Sequence, residues 1–313
     1  MIDISFIVCS YNYPEISKCL DSILRQKYKG KIEILIVDGG SNEETLRVIK
    51  NYAKRFKNVK ILNNKEKLPE GYGKGKWFGW KKAKGNFVAI VDQDNELQGE
   101  NWINEMLMPF KEDIFGCACK LVVNKEDSLT NQYIALQGTD PFLAYKSLDG
   151  IINLKKIGED KGNYIIFEIN KRNLIITGGN CFVYRKKDLD KVGGYIQDTD
   201  NIVRLVNSGK NKIAIPKNAG THHLAVKSFI DFIRKKKKWA KTYRPAGNFS
   251  YIPRTREERK DLIINLFLIS TIIPNFFIAI KKIAETGEKA WILHPILTFI
   301  TEFIYFFYAF VRL

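Results

Sequence analysis

The amino-acid sequence predicts an α/β fold with a mostly parallel central sheet flanked by helices, followed by helices embedded in a membrane. Apolar, β-branched segments alternate with amphipathic helical segments through the first third of the chain, an order typical of parallel, right-handed α/β sheets. Two of the apolar segments run directly into aspartates, Asp38 and Asp92. Near the C-terminus, two long segments are almost free of charge and approach the roughly 20 residues that span a bilayer.

Strands and helices follow in order from the periodicity of the apolar residues. Predicted strands cover residues 2–9, 32–37, 59–62, 87–91, 117–123, 165–176 and 212–215. Predicted helices cover residues 14–26, 43–56, 76–84 and 102–110. The stretch 124–164 is irregular and mixes turn residues with aromatic ones, so we expect it to form the variable part that faces the substrate.

Two carboxylates, Asp92 and Asp94, follow the apolar residues 87–91. Alternate residues of a strand point the same way, so both can face one spot at the sheet edge where α/β folds bind their ligands. Such a pair can hold a divalent cation against phosphate oxygens. The alternative is a solvated turn after a core strand, because Asp-x-Asp is a short pattern.

Composition limits the partners and the compartment. The 313 residues carry a formal net charge of +17 with a pI near 9.5, which suits partners with phosphate groups: nucleic acid, anionic lipid or a nucleotide substrate. The five cysteines show no zinc-ligand spacing and are interpreted as reduced core residues. The N-terminus opens on a strand-like segment and not on a secretory signal, so we expect the catalytic part in the cytosol.

The C-terminal region is predicted to form a helical hairpin in the membrane. Residues 262–280 carry no formal charge, and residues 290–311 include His294 and Glu302. Residues 281–289 are then the turn, and basic residues around both outer ends place those ends in the cytosol. Because a charge such as Glu302 is costly in hydrocarbon, a hairpin that lies in the membrane plane is the alternative.

Residues 229–243 combine aromatic residues with a run of lysines and predict an amphipathic helix on an anionic lipid surface. A solvated charged face is the alternative, and the neighbouring hairpin argues against nucleic acid as the partner. We therefore expect a catalytic domain at 1–228, a basic interfacial segment at 229–260 and a two-helix membrane hairpin at 261–313.

The motifs between residues 8 and 94, taken in order, resemble those of the family 2 glycosyltransferases with the GT-A fold. Val8-Cys9-Ser10-Tyr11-Asn12 resembles the opening nucleotide loop of that family, and Val37-Asp38-Gly39-Gly40-Ser41 resembles its Asp-Asp-Gly-Ser base-binding turn. Gly39 departs from the pattern by replacing the second aspartate. Lys76 stands where the family often has Arg, and Asp92-Gln93-Asp94 matches its Asp-x-Asp motif.

The motifs between residues 178 and 223 resemble the same family. Together with the first set, they extend the resemblance over roughly residues 2–232. Gly178-Gly179-Asn180 and Val192-Gly193-Gly194-Tyr195 match its acceptor-side segment. Gln197-Asp198 stands where the family carries Glu-Asp, followed by Asp200 and Arg204. His223 matches the late histidine that completes the metal site, with His222 as the alternative.

The resemblance implies a role for each matching residue. Asp198 is the expected catalytic base, and Asp94 is the expected ligand of Mg²⁺ or Mn²⁺ with help from Asp92 and His223. The expected donor-binding residues are Ser10, Tyr11, Asn12, Asp38, Lys76 and Asp92. The expected acceptor-side residues are Gly178, Gly179, Asn180, Asp200 and Arg204.

These roles imply an inverting, metal-dependent hexosyltransferase that moves a sugar from a nucleotide-sugar donor to a hydroxyl of a lipid-linked saccharide or other glycan at the cytosolic membrane face. One alternative charges a polyprenyl phosphate directly, as dolichyl-phosphate sugar synthases do, and needs no base. Another is a nonenzymatic, membrane-anchored binding protein, with Gln197 and Gly39 as signs of lost catalysis. The expected partners are donor, acceptor and membrane lipids, not nucleic acid, and an oligomer is compatible with the sequence.

Overall fold

The computed structural model describes residues 2–64, 74–137, 158–170, 179–242 and 271–310, together with residues 260, 264 and 267. The chain divides into two compact units. The first comprises residues 1–120, 154–171 and 176–223, and the second comprises residues 121–153, 172–175 and 224–313. The second unit therefore takes a segment from the middle of the chain as well as the C-terminal region.

A large mixed sheet forms the centre of the first unit. The strands of the chain are β1 (Ile4–Ser10), β2 (Ile32–Asp38), β3 (Val59–Asn63), β4 (Phe87–Asp92), β5 (Asn95–Leu97), β6 (Gly116–Cys117), β7 (Lys120–Leu121), β8 (Glu159–Asp160), β9 (Tyr164–Glu168), β10 (Phe182–Arg185), β11 (Lys212–Pro216) and β12 (Gly220–His223). Within the described residues, nine of them form one sheet in the order β3-β2-β1-β4-β10-β6-β11-β9-β8. β12 pairs antiparallel with β5 outside it.

The predicted α/β class is confirmed, and the structure refines the expectation of a mostly parallel sheet. β3, β2, β1 and β4 are parallel neighbours, whereas β10 runs antiparallel to both β4 and β6. β6 and β11 are parallel, and β9 is antiparallel to β11 and β8. β1, β2 and β4 are largely apolar because both faces of these strands are buried, whereas β3 at the end of the sheet is partly exposed.

Helices surround the sheet in the first unit and make up most of the described part of the second. They are α1 (Ile16–Leu24), α2 (Glu43–Arg55), α3 (Lys74–Lys82), α4 (Trp102–Leu107), α5 (Leu129–Gln137), α6 (Lys186–Lys191), α7 (Asp198–Asn207), α8 (Phe229–Thr242), α9 (Ile272–Thr286) and α10 (His294–Phe310). Asn42 caps α2 by accepting a hydrogen bond from the Thr45 backbone N–H at 3.0 Å. Glu43 and Glu44 in the first turn of α2 suit the positive end of the helix dipole.

Two predicted elements of the first unit have different bounds. The helix expected over 102–110 ends at Leu107 and continues as a 3₁₀ turn, Met108–Lys111, since Pro109 has no N–H to donate. The strand expected over 117–123 is two short strands, β6 and β7, in different sheets. The strand expected over 165–176 is described only as β9, because residues 171–178 lie outside the described residues.

The second unit corrects the predicted hairpin. The turn expected at 281–289 is wrong over residues 281–286, because α9 continues through Lys281 and Lys282 to Thr286 and ends before Gly287, whose φ is 72°. Both lysines approach Glu285, at 3.8 and 3.4 Å, so that charged pairs extend the helix. Of the expected first membrane segment, 262–280, residues 272–280 belong to α9, and all of 262–270 except 264 and 267 lie outside the described residues.

One helical segment in the described part of the chain, Lys289–Tyr308, is long and apolar enough to cross a membrane. It comprises a 3₁₀ turn, Lys289–Leu293, and most of α10. Its mean hydropathy is 1.5, and half of it is buried within the protein. Length and composition alone make it a candidate membrane helix, and a core helix would meet the same criteria.

Candidate functional site

The register of the parallel strands brings three predicted site residues to one edge of the sheet. Ser10 at the end of β1 is paired with Asp38 at the end of β2, and Cys9 is paired with Asp92 at the end of β4. The carboxyl ends of parallel strands are where ligands of α/β sheets bind. The candidate site is therefore built on this edge of the first unit.

The loop after β1 is held by polar contacts to two neighbouring loops. The Tyr11 backbone N–H donates to Gln93 Oε1 at 2.9 Å. Asn12, whose φ is 47°, donates its backbone N–H to Ser41 Oγ at 3.2 Å and accepts at Oδ1 from the Asn42 backbone N–H at 2.8 Å. These bonds stabilise a left-handed backbone position that residues other than glycine seldom adopt. The Tyr11 side chain is left exposed at the rim of the site.

Asp38 shapes the turn that follows β2. Its Oδ2 accepts from the Gly40 backbone N–H and its Oδ1 accepts from the Ser41 backbone N–H, both at 3.1 Å, and the residue is buried. At Gly39, an added Cβ would meet the Ser10 carbonyl oxygen at 3.5 Å, which is ordinary contact. Glycine is therefore not required by the backbone at the position where the motif departs from the family pattern.

Lys76 on α3 lies between two carboxylates. Its ammonium is 2.8 Å from Asp92 Oδ1 and 3.4 Å from Asp198 Oδ2, and its side chain is only 8% exposed. A buried ammonium is favourable when opposite charges surround it. The structure thus brings together three residues that the sequence assigned separately to donor binding and to catalysis.

Asp198, the first residue of α7, is the more open member of this cluster, with 30% of its side chain exposed. The Tyr195 hydroxyl donates a hydrogen bond to Asp198 Oδ1. A Cβ on Gly179 would lie 2.5 Å from Asp198 Oδ2, so this position leaves room for the carboxylate only when it is glycine. Gly179 therefore contributes to the site by the absence of a side chain.

The two residues of the Asp-x-Asp motif face different partners. Whereas Asp92 pairs with Lys76, Asp94 Oδ1 lies 3.4 Å from His223 Nε2 on β12. His222, the alternative ligand, has its Nδ1 3.8 Å from Glu96 Oε1. Carboxylate and imidazole are suitable ligands for Mn²⁺ and, less strongly, Mg²⁺. Asp94 and His223 fit such an ion, although the described residues contain no group of three or more His, Cys, Asp or Glu side chains arranged to hold one.

Asp200 and Arg204 pair with each other on α7 at 3.0 Å. The Arg204 guanidinium also donates to the Gly194 carbonyl oxygen at 2.6 Å and to Asn201 Oδ1 at 2.7 Å. These contacts fix the loop that precedes Asp198. Nearby, Asn180 has a φ of 50°, while Gly178 lies outside the described residues.

Comparison with known proteins identifies the family. The model of Glycosyl transferase family 2 matches residues 5–193, which is more than half of the chain. The chain belongs to this family. The matched range contains Lys76 and both aspartates of the Asp-x-Asp motif, and it ends just before Tyr195 and Asp198.

Two curated glycosyltransferases are similar to parts of the chain. The glycosyltransferase GlyG of Streptococcus pneumoniae is 28% identical over 173 residues, which cover 55% of this chain and 56% of GlyG. The poly(ribitol-phosphate) β-N-acetylglucosaminyltransferase TarS of Staphylococcus aureus is 32% identical over 102 residues, which cover 32% of this chain and 18% of TarS. The chain thus spans about half the length of the first and less than a fifth of the second.

Two solved structures share the fold over nearly the whole chain. The mannosyltransferase PcManGT from Pyrobaculum calidifontis, in complex with GDP-Man and Mn²⁺, has a TM-score of 0.57 at 13% identity and covers 97% of this chain and 86% of its own. Residues 1–349 of Staphylococcus aureus TarS, in complex with UDP, have a TM-score of 0.52 at 17% identity, with 99% and 92% covered. Both are GT-A proteins, and the fold predicted from the sequence is confirmed.

In this family 2 domain, the predicted residues form three groups: Lys76 with Asp92 and Asp198, Asp94 with His223, and Asp200 with Arg204. The roles assigned to them stay predictions. The sequence analysis missed Tyr195, which it quoted within a motif without a role. The signal in the sequence is a tyrosine three positions before the candidate base Asp198, since its hydroxyl can donate a hydrogen bond to that carboxylate.

Proposed function

We propose that this family 2 enzyme is an inverting glycosyltransferase that moves a sugar from a nucleotide-sugar donor to a hydroxyl of a lipid-linked saccharide or other glycan acceptor. The observation that carries the proposal is the placement of Lys76 between Asp92 and Asp198 at the carboxyl edge of the sheet. Glycosyl transfer requires a positive charge near the leaving diphosphate and a carboxylate near the acceptor hydroxyl. Lys76 supplies the positive charge, and Asp198 supplies the carboxylate 3.4 Å from it.

In the proposed reaction, the acceptor oxygen forms a bond to the anomeric carbon as the bond from that carbon to the diphosphate oxygen breaks. Asp198 takes the proton of the acceptor hydroxyl, and the electron pair of the broken bond leaves with the nucleoside diphosphate. Lys76 offsets part of the negative charge that develops there. A single in-line displacement inverts the configuration of the anomeric carbon.

A divalent cation, when bound, adds charge neutralisation at the diphosphate. We assign Asp94 and His223 to hold it, because these two side chains already approach each other and suit Mn²⁺ or Mg²⁺. Asp92 is assigned to the donor sugar and to secondary help with the metal. The complex of PcManGT with GDP-Man and Mn²⁺ supports the use of a divalent ion.

We also propose that the second unit anchors the enzyme to a membrane, with the catalytic domain on the cytosolic face. The support is the distribution of polarity on α10. Phe299, Phe303 and Phe307 are exposed, whereas Thr301 and Glu302 are buried. A helix that faces water exposes its polar residues and buries its apolar ones, and α10 does the opposite. Exposed phenylalanine side chains are favoured where they contact lipid chains.

The main alternative is transfer to a polyprenyl phosphate, whose ionised oxygen attacks without a base.

The test incubates the full-length protein with a panel of nucleotide sugars that includes UDP-GlcNAc and GDP-Man, with Mn²⁺ and membrane lipid extract. The released nucleoside diphosphate is measured. We expect Asp198→Asn, which keeps the size of the side chain, to lower kcat roughly 10²-fold or more while donor binding persists. Unchanged turnover in this variant favours the phosphate acceptor. No release from any donor favours a nonenzymatic binding protein.

A further inference from the structure

We infer that Tyr195 is a positioning residue that holds Asp198 so that Oδ2, and not Oδ1, accepts the proton of the acceptor. The inference rests on the proposed function, in which Asp198 is the base. The Tyr195 hydroxyl donates its hydrogen bond to Asp198 Oδ1. Oδ1 therefore accepts a hydrogen bond from a buried hydroxyl, whereas Oδ2 has the longer contact with the Lys76 ammonium, at 3.4 Å, and is the oxygen that we assign to the acceptor proton.

The Tyr195 hydroxyl is suited to this role because it stays protonated and fixed. The residue is fully buried, and this burial, together with the charge of Asp198, raises the pKa of Tyr195 well above its usual value. The ring packs against Trp80, with centroids 6.1 Å apart, and meets Tyr184 edge-on at 6.5 Å. Trp80 is fixed in turn, because its Nε1–H donates to Asp190 Oδ1 at 2.7 Å.

The two carboxylate oxygens of Asp198 have different contacts. Oδ2 already lies 3.4 Å from the Lys76 ammonium, and it occupies the space beside Gly179, where an added Cβ would be 2.5 Å away. If the bond to Oδ1 were absent, the longer contact with Lys76 alone would orient the carboxylate, which could then turn and lose its alignment with the acceptor. Small losses of alignment between reacting groups cost about tenfold or more in rate.

The test replaces Tyr195 by Phe, which keeps the buried ring and removes only the hydroxyl. We expect kcat to fall about tenfold while the KM for the donor stays within about twofold, since the bond acts on the base and not on donor binding. Tyr164→Phe is the matched control, because the Tyr164 hydroxyl also bonds a carboxylate, Glu112 Oε1 at 2.9 Å, near the other end of the sheet. The control should keep kcat within about twofold.

A double-mutant cycle separates positioning from a general loss of structure. If Tyr195 acts only through Asp198, then Tyr195→Phe combined with Asp198→Asn should be no slower than Asp198→Asn alone. Thermal unfolding of each variant shows whether the fold is kept, and the cycle is run well below the lowest Tm. These comparisons use the same donor and acceptor throughout.

Three results would overturn the inference: Tyr195→Phe keeps at least half of the wild-type kcat, the two effects multiply in the double variant, or donor KM and kcat change together. Each of these can occur while Asp198→Asn still lowers kcat roughly 10²-fold or more, so the proposed function survives them. If the wild-type protein turns over no donor, or if Asp198→Asn is fully active, the proposed function fails and the role of Tyr195 falls with it.

Discussion

The ammonium of Lys76 lies 3.4 Å from Asp198 Oδ2, although the two residues are 122 positions apart in the chain. The same ammonium is 2.8 Å from Asp92 Oδ1. One buried cation thus balances the carboxylate assigned to the donor and the carboxylate assigned to the base. If Lys76 lost its charge, two negative groups would share a site without compensation, and an incoming diphosphate would meet repulsion.

This relationship predicts that Lys76→Met lowers kcat/KM for the donor by roughly 10²-fold, the usual cost of removing one charge-stabilising donor from an active site. Lys76→Arg restores the charge, so we expect its kcat/KM to recover to within about tenfold of wild type. Diphosphate release at varied donor concentration measures both. Lys60→Met is the control, because Lys60 is half-exposed, pairs with Glu33 at 3.6 Å and lies near the start of β3, away from the carboxyl ends of the strands. Equal activity in Lys76→Met and Lys60→Met would contradict the assigned role.

Gly179→Ala tests the space beside the base. Its Cβ would lie 2.5 Å from Asp198 Oδ2 and 3.0 Å from Asp198 Cγ, so the carboxylate or the loop must move. We expect kcat to fall by about tenfold or more, as measured by diphosphate release at saturating donor. Gly162→Ala adds the same methyl group where no atom lies within 4 Å, and its φ of 82° makes some loss of stability expected without loss of turnover. If both variants turn over like the wild type, Gly179 does not limit the position of Asp198.

The position of the site at the carboxyl ends of the strands was predictable from the sequence, but the contact of Lys76 with Asp198 was not. The strands ending at Asp38 and Asp92 were predictable, because strands buried on both faces consist largely of apolar residues and each of these ends at an aspartate, although the first also contains the buried Glu33. The contact of Lys76 with Asp198 joins residues that are 122 positions apart, so no local sequence pattern marks it. The end of α9 was missed because Lys281 and Lys282 were interpreted as a turn, although Glu285 provides helical charge pairs for both.

The geometry of β12 predicts that the two histidines differ in function. Successive residues of a strand point to opposite faces: His223 Nε2 lies 3.4 Å from Asp94 Oδ1, whereas His222 Nδ1 lies 3.8 Å from Glu96 Oε1. We expect His223→Ala to raise the Mn²⁺ concentration needed for half-maximal turnover by about tenfold or more, as measured by diphosphate release at varied Mn²⁺. His222→Ala should change it by less than about twofold. The opposite order would assign the metal to His222.

The exposed face of α10 predicts membrane binding by the second unit. Phe299 and Phe303 lie one turn apart on that face, with exposed fractions of 41% and 64%. Replacing both by Ser removes apolar surface that would enter the lipid, so we expect binding to vesicles of phosphatidylcholine and phosphatidylglycerol to weaken by about tenfold or more. Cosedimentation of the full-length protein with these vesicles measures the change.

The control for this prediction is Leu129→Ser. Leu129 is 42% exposed in the same unit, but it lies on α5 and not on the apolar face of α10. The control removes a similar side chain, so a loss of binding in the Phe299 and Phe303 variant alone locates the lipid contact on α10. If the wild-type protein stays in the supernatant with these vesicles, the exposed phenylalanines are not a lipid contact. Release by high salt in both variants would instead assign the binding to the lysines of α8, because screening weakens charge attraction and not apolar insertion.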